Sequence, residues 1–204
     1  MRARPAATTM ADAVIPGIGV WRDAVLVLSG SLLVAICAQF VVPFYPVPVT
    51  GQTFGVLLTG MLLGSKRGSL ALVAYVAEGI AGLPVFYGGR TGPGQLIGPT
   101  GGYLIGFIVA AFVAGWLAER GWDRRFATDA AAMVVGNVVI YFFGVAWLAY
   151  IYQIGVAWLP NIPLRPVDAA LVDGMVKFLP GDFLKIGLAT AALPAGWKLA
   201  GRFR

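Results

Sequence analysis

From Ala24 to Ser65 the chain runs for 42 residues without an aspartate, glutamate, lysine or arginine. A helix of about 20 apolar residues crosses the hydrocarbon core of a bilayer. The remainder of the sequence agrees with a membrane setting. Only 12% of its 204 residues are charged, against about 25% in soluble domains; 59% are hydrophobic and the mean hydropathy is +0.82. An unusually apolar soluble bundle does not account for the uncharged run, so the expectation is an all-α integral membrane protein.

Six apolar segments are expected to span, at 24–42, 51–65, 68–83, 101–118, 130–152 and 178–197. Proline, glycine and charge punctuate the intervals, as in "PFYPVPVTGQ", "GSKRG" and "ERGWDRRFATD". Lysine and arginine concentrate on the cytoplasmic side of membrane proteins. With the N-terminus inside, the inner segments hold Arg2, Arg4, Arg22, Lys66, Arg67, Arg120, Arg124, Arg125, Lys198, Arg202 and Arg204, eleven of fifteen basic residues. The outer loops hold Arg90 and Arg165. Both termini are therefore expected in the cytoplasm. Residues 1–22 read as a frayed cytoplasmic tail without the apolar core of a signal peptide, and 23–200 as one six-helix transmembrane domain. The second and third segments are short for a bilayer. Non-helical backbone at membrane depth must line a cavity or be buried in protein, so a ligand pocket opening outward and capped by loops is expected.

The composition also excludes chemistry. There is no histidine and one cysteine, Cys37, which removes His/Cys zinc sites, internal disulfides and His-assisted nucleophiles. The net charge of +6 is what basic cytoplasmic loops contribute, with no nucleic-acid-binding motif. Enzymatic activity is not expected.

Three features could meet a ligand. Asp182 and Lys185 share one face of the sixth span, one turn apart, just after Pro180-Gly181. They are either a self-neutralising pair near the interface or a neutral polar bite, in which the acid accepts from N–H groups and the lysine donates to a carbonyl; a cyclic urea presents that edge. The loop "FYGGRTGPGQLIGPTGG", Phe86 to Gly102, holds seven glycines and no P-loop signature. It is either a tight connector or a ligand lid, with Arg90 as an anion anchor and Gly101 at its end. Thr50 and Gln52 stand at the pocket rim. Glu78 is a buried acid that is protonated, paired across helices or in contact with ligand, while Gln39 and Asn137 suit interhelical hydrogen bonds. Phe44, Tyr45, Phe86, Tyr87 and Tyr103 fit an interfacial aromatic belt, one or two of them packing on an apolar ligand. Gly30, Ser31, Ala35 and Ala38 form a small-residue face for packing within the bundle or for docking on another membrane protein.

The runs "VPVTGQTFGVLLTGMLLGSKRGSLALVAYVAEGIAGLPVF", "GPTGGYLIGF" and "GDFLKIGLA" resemble BioY, the biotin-binding S components of energy-coupling factor (ECF) transporters, over roughly residues 30–195. The resemblance implies six transmembrane helices with biotin held near the outer face under loops. It implies partnership with a transmembrane T component and cytoplasmic ATPase subunits, which alone bind ATP, so that this chain carries no cofactor. It puts the ureido ring at Asp182 and Lys185, matches Tyr103 and the glycine-rich loop to the family's fourth-helix start and lid, and leaves the direction of biotin open. The alternatives are an S component for another vitamin, or a multispan membrane protein without a transport role.

Overall fold

The computed structural model describes residues 9–15, 17, 19–154 and 165–202, the side chains of 199–202 excepted. Arg2, Arg4 and Arg204 thus lie outside the described residues, as does the stretch 155–164 of the last outer loop.

Six long helices carry the fold: α2 (Val20–Cys37), α3 (Gln52–Leu63), α4 (Ser65–Ile80), α6 (Gly101–Ala118), α7 (Phe126–Ile154) and α9 (Leu179–Arg202). Three of these, α2, α6 and α7, are by themselves long and apolar enough to cross a membrane. Short helices lie between and before them: α1 (Met10–Val14), α5 (Gly94–Ile97) and α8 (Pro166–Gly174). Contacts gather the starts of α2, α4 and α7 with the ends of α6 and α9 at one end of the bundle, and the starts of α3, α6 and α9 at the other. The basic-residue count assigns the first end to the cytoplasm. α6 is the central element, packed on α3, α4 and α7.

The expected first span, 24–42, begins earlier and ends earlier, at Val20 and Cys37. Beyond it, Val41–Val42 (β1) pairs antiparallel with Val49–Thr50 (β2). The valines, a threonine and three prolines of this stretch disfavour helix and suit a tight hairpin. At twelve residues, α3 rises only about 18 Å, and the hairpin leads directly into its start. Val47 to Thr50 of this stretch line the cavity described below, while Val42, Phe44 and Tyr45 are exposed.

α3 and α4 are separated by Gly64 alone, at φ +85°, a left-handed geometry that favours glycine. Glu119, at the end of α6, accepts from the Ser65 backbone N–H at 2.7 Å and from Ser65 Oγ at 2.9 Å. It thereby caps the exposed amides at the start of α4.

Within the expected tail, residues 9–15 are described and form a capped short helix. Thr9 caps α1 by accepting from Asp12 N–H, and Asp12 Oδ1 receives Arg22 Nη2 and Arg67 Nη1, each at 2.8 Å. Met10 is buried against Gly196 of α9. Burial raises the Asp12 carboxyl, but the hydrogen bonds from Arg22, Arg67 and Thr9 outweigh it and hold the group well below the usual carboxylate range. A short helix with one acid fits because Arg22 and Arg67, on α2 and α4, are already adjacent there.

Gly30, Ser31, Ala35 and Ala38 are buried. A Cβ on Gly30 would meet Thr59, Leu63 and Ala71 below 3.0 Å. The small face of α2 is the seam on which α3 and α4 pack.

Candidate functional site

The outer end of the bundle holds a largely apolar cavity, lined from the hairpin, the glycine-rich loop and helices α3, α6, α7 and α9. The hairpin supplies Val47, Pro48, Val49 and Thr50 to one wall. Tyr103, Leu104 and Phe107 from α6 supply the opposite one, and Phe86 and Tyr87 of the glycine-rich loop also line it.

The polar groups converge from three helices. Asp182, 3% exposed, lies in the first turn of α9. Its Oδ1 accepts from Lys185 Nζ at 3.0 Å and from Thr53 Oγ1 at 3.3 Å. Its Oδ2 accepts from the Tyr141 hydroxyl of α7. Lys185 Nζ also donates to Thr53 Oγ1 at 2.9 Å. The pair is thus neutral as a unit and held by hydrogen bonds, which a buried ion pair requires. A ligand edge with both donors and an acceptor would find an acceptor in Asp182 and a donor in Lys185.

A second polar relay fixes Gln52, 5% exposed. Its Nε2 donates to Tyr75 Oη at 2.8 Å, Tyr75 donates to the Val85 carbonyl at 3.0 Å, and Thr50 Oγ1 donates to Gln52 Oε1 at 3.0 Å.

Aromatic rings close the remaining surface. Phe86, 1% exposed, meets Tyr75 edge-on at 5.5 Å. Phe178 stacks on Tyr141 and meets Tyr103 edge-on, both at 6.3 Å. Tyr103 sits over Gly144, where a Cβ would lie 2.3 Å from its ring. Its hydroxyl donates to the Gly174 carbonyl at 2.7 Å. Tyr103 therefore ties the cavity wall to the end of α8, which is also held by Tyr152 Oη donating to Asp173 Oδ2 at 2.8 Å.

Of the residues singled out from sequence, Thr50, Gln52, Phe86, Tyr103, Asp182 and Lys185 line this one cavity. Arg90 lines an adjoining outer recess with Tyr87, Gln95, Trp147 and Tyr150. Its guanidinium lies 4.8 Å from the Tyr87 ring centre, and Tyr87 and Gln95 border both spaces. Burial pushes the Tyr87 phenol up, with Arg90 working against it. Gly101 opens α6 beside the cavity-lining Thr100. Glu78 stands away from the cavity, where its Oε2 accepts from Ser31 Oγ at 2.5 Å, pairing across α4 and α2. Gln39 bridges α2 to the loop by donating to the Ala35 and Phe86 carbonyls. Asn137 Oδ1 has no partner among the described residues.

Thr53, Tyr141, Gln95 and Phe178 were not anticipated. Thr53 had a signal, since it follows the rim residues Thr50 and Gln52 in the same quoted run. Tyr141 had none, because its role depends on how α7 is rotated against α9.

Residues 6–202 match the BioY family. The chain is 41% identical over 157 residues to the biotin transporter BioY of Thermotoga maritima, covering 77% of this chain and 85% of that one. It is 36% identical over 176 residues to the biotin transporter BioY of Rhizobium etli, covering 80% and 88%. Its fold superposes on the crystal structure of an S component for biotin from an ECF-type ABC transporter, with a TM-score of 0.69 and 26% identity. That match covers 89% of this chain and 95% of the other.

Proposed function

The chain belongs to the BioY family, and from that premise we propose that it captures biotin at the outer membrane face for uptake by an ECF-type transporter. It is a multispan substrate-binding subunit of a transport system and not an enzyme. The T component and ATPase subunits, which would supply the energy, are its proposed partners, and ATP binds only to the latter.

The observation that carries this reading is the neutral Asp182–Lys185 pair in the wall of an otherwise largely apolar cavity. Biotin joins a ureido ring to a thioether ring and an aliphatic chain ending in a carboxylate. The ureido N–H groups donate toward Asp182, and its carbonyl accepts from Lys185. Thr53 and Tyr141 keep both groups aimed. The bicyclic body lies among Phe86, Tyr103 and Phe178, which suits a site of many apolar contacts and few polar ones. The chain points outward, where Arg90 in the adjoining recess receives the carboxylate. Thr50 and Gln52 shape the rim, and Gly101 lets the start of α6 lie close to the loop. Glu78 acts in helix packing and not on the ligand.

The test is equilibrium binding of labelled biotin to the detergent-purified chain, with excess thiamine and riboflavin as competitors. Saturable binding displaced by biotin alone is expected. Displacement by either competitor, or no binding by a folded sample, overturns the assignment.

A further inference from the structure

At the cytoplasmic end, remote from the cavity, two carboxylates are buried where the 3₁₀ turn Trp122–Arg124 meets the first turn of α7. Asp123 and Asp129 are both 0% exposed. Thr128 Oγ1 donates to the Trp122 carbonyl at 2.7 Å, which folds the turn onto the helix. Asp123 Oδ2 accepts from Trp197 Nε1 of α9 at 2.5 Å. Asp123 Oδ1 and both oxygens of Asp129 have no hydrogen-bond partner among the described residues.

Thr128, next to Asp129, is bonded to Trp122, next to Asp123, so both buried carboxyls belong to one junction of turn and helix. Leaving both ionised is unfavourable twice over. An uncompensated buried charge costs several kcal/mol, and a like charge beside it disfavours ionisation further. The neighbouring charges do not remove the problem. Arg124 stacks over the Trp197 ring, 4.7 Å from its centre, and acts on Asp123. Arg125 and Lys198 are exposed. Glu119 is engaged with Ser65, and Arg120 lies over Trp116. None of these forms an ion pair with Asp129 among the described residues.

We propose that Asp123 and Asp129 form a proton-binding site, in which Asp129 is the acid and donates to Asp123 Oδ1. One proton then serves both groups. Asp123 stays anionic, satisfied by Trp197 and by the acid proton, and the three unpartnered oxygens fall to one. A proton suits the donor set better than a metal ion, since the described residues hold no group of three His, Cys, Asp or Glu side chains placed to bind one. The site fastens the cytoplasmic end of α9, next to Gly196 on which Met10 of α1 packs. The same helix carries Asp182 and Lys185 at its other end. Protonation state therefore sets how firmly the ligand-bearing helix is held at the cytoplasmic face.

The sign follows from where the proton sits. It is held in the folded chain at a pH where the unfolded chain has released it. The stabilisation is complete below the ordinary carboxylate range and is lost as pH rises through the titration of the folded pair. Burial pushes the Asp123 carboxyl up, in the same direction. Asp12, held low, loses its contribution only in acid, so the two effects occupy separate pH ranges.

The full chain in detergent provides the test. At neutral pH the infrared spectrum of the wild type should contain a protonated-carboxyl stretch. Asp129→Asn should remove that stretch, and Glu78→Gln should retain it. The thermal midpoint of the wild type should fall by several degrees from about pH 5 to about pH 9, equally with chelator or with added sodium, magnesium or calcium. In Asp129→Asn the fall should be much smaller, because the shared proton is gone; Asp123→Asn, which can still accept from Trp197, leaves Asp129 buried and should show a reduced fall. A pH profile unchanged in these variants overturns the proposal, as does a midpoint that follows added metal and not pH. Should both variants fail to fold, the wild-type spectrum decides, because absence of the protonated-carboxyl stretch also overturns it.

Discussion

Asp182 is surrounded by side chains from three helices, and each makes a separable contribution. Asp182→Asn keeps an acceptor for Tyr141 but leaves the partly buried Lys185 without its counter-ion. Hydrogen bonds to charged groups contribute about 1.5–3 kcal/mol, so biotin affinity should fall by roughly 10- to 100-fold, read by equilibrium binding. Tyr141→Phe removes one aiming contact and should weaken binding by about tenfold or less; unchanged affinity would show that Tyr141 does not position the acid. Arg90 stands at a different place and answers to a different part of the ligand. Arg90→Ala should weaken biotin by about tenfold while leaving the affinity for an uncharged biotin amide almost unaltered, and equal losses for both would remove it as the carboxylate anchor. The pairing of Asp182 with Lys185 was legible in their spacing, because side chains one helical turn apart are neighbours. The supports were not legible, because Thr53 and Tyr141 reach Asp182 across 129 and 41 residues of chain, and nothing local in the sequence fixes that meeting.

Among the elements, α6 coincides with its expected span, 101–118, because "GPTGG" before it and the charged "ERGWDRR" after it mark both ends. The first span was misplaced by about a turn at each end, because hydropathy does not distinguish an apolar helix from the valine-rich hairpin that follows. Within the expected tail, the short helix α1 was not legible for a comparable reason: Asp12 meets Arg22 and also Arg67, 55 residues along the chain. α8 carries the clearest prediction at this scale. A Cβ on Gly174 would lie 2.4 Å from the Tyr103 hydroxyl, so Gly174→Ala should push the end of α8 off the cavity wall. Faster biotin release and increased protease cleavage near α8 are expected, with the helical content unchanged. Release and cleavage at wild-type rates would exclude α8 as part of the closure.

For the whole molecule, the cytoplasmic end is tied together by charge and the outer end by aromatic and hydroxyl contacts. Asp12→Ala deprives Arg22 and Arg67 of a shared acceptor, and should lower the thermal midpoint in detergent by several degrees at neutral pH. Because its carboxyl is held low in the fold, the wild type should keep that advantage as pH falls into the usual carboxylate range and lose it only in stronger acid, where wild type and variant converge. A difference that persists undiminished in strong acid would mean that Asp12 acts through packing and not through charge. The neutrality of the Asp182–Lys185 pair has a further consequence for energetics. Carrying one elementary charge through a transmembrane voltage takes about 2.3 kcal/mol per 100 mV. Asp182 is matched by Lys185, and with biotin bound as proposed its carboxylate is matched by Arg90, so the loaded pocket presents no net charge to that field. Voltage then does almost no work on the loaded site, but the emptied site keeps the unmatched arginine, so a full cycle still carries the ligand's one negative charge through the field.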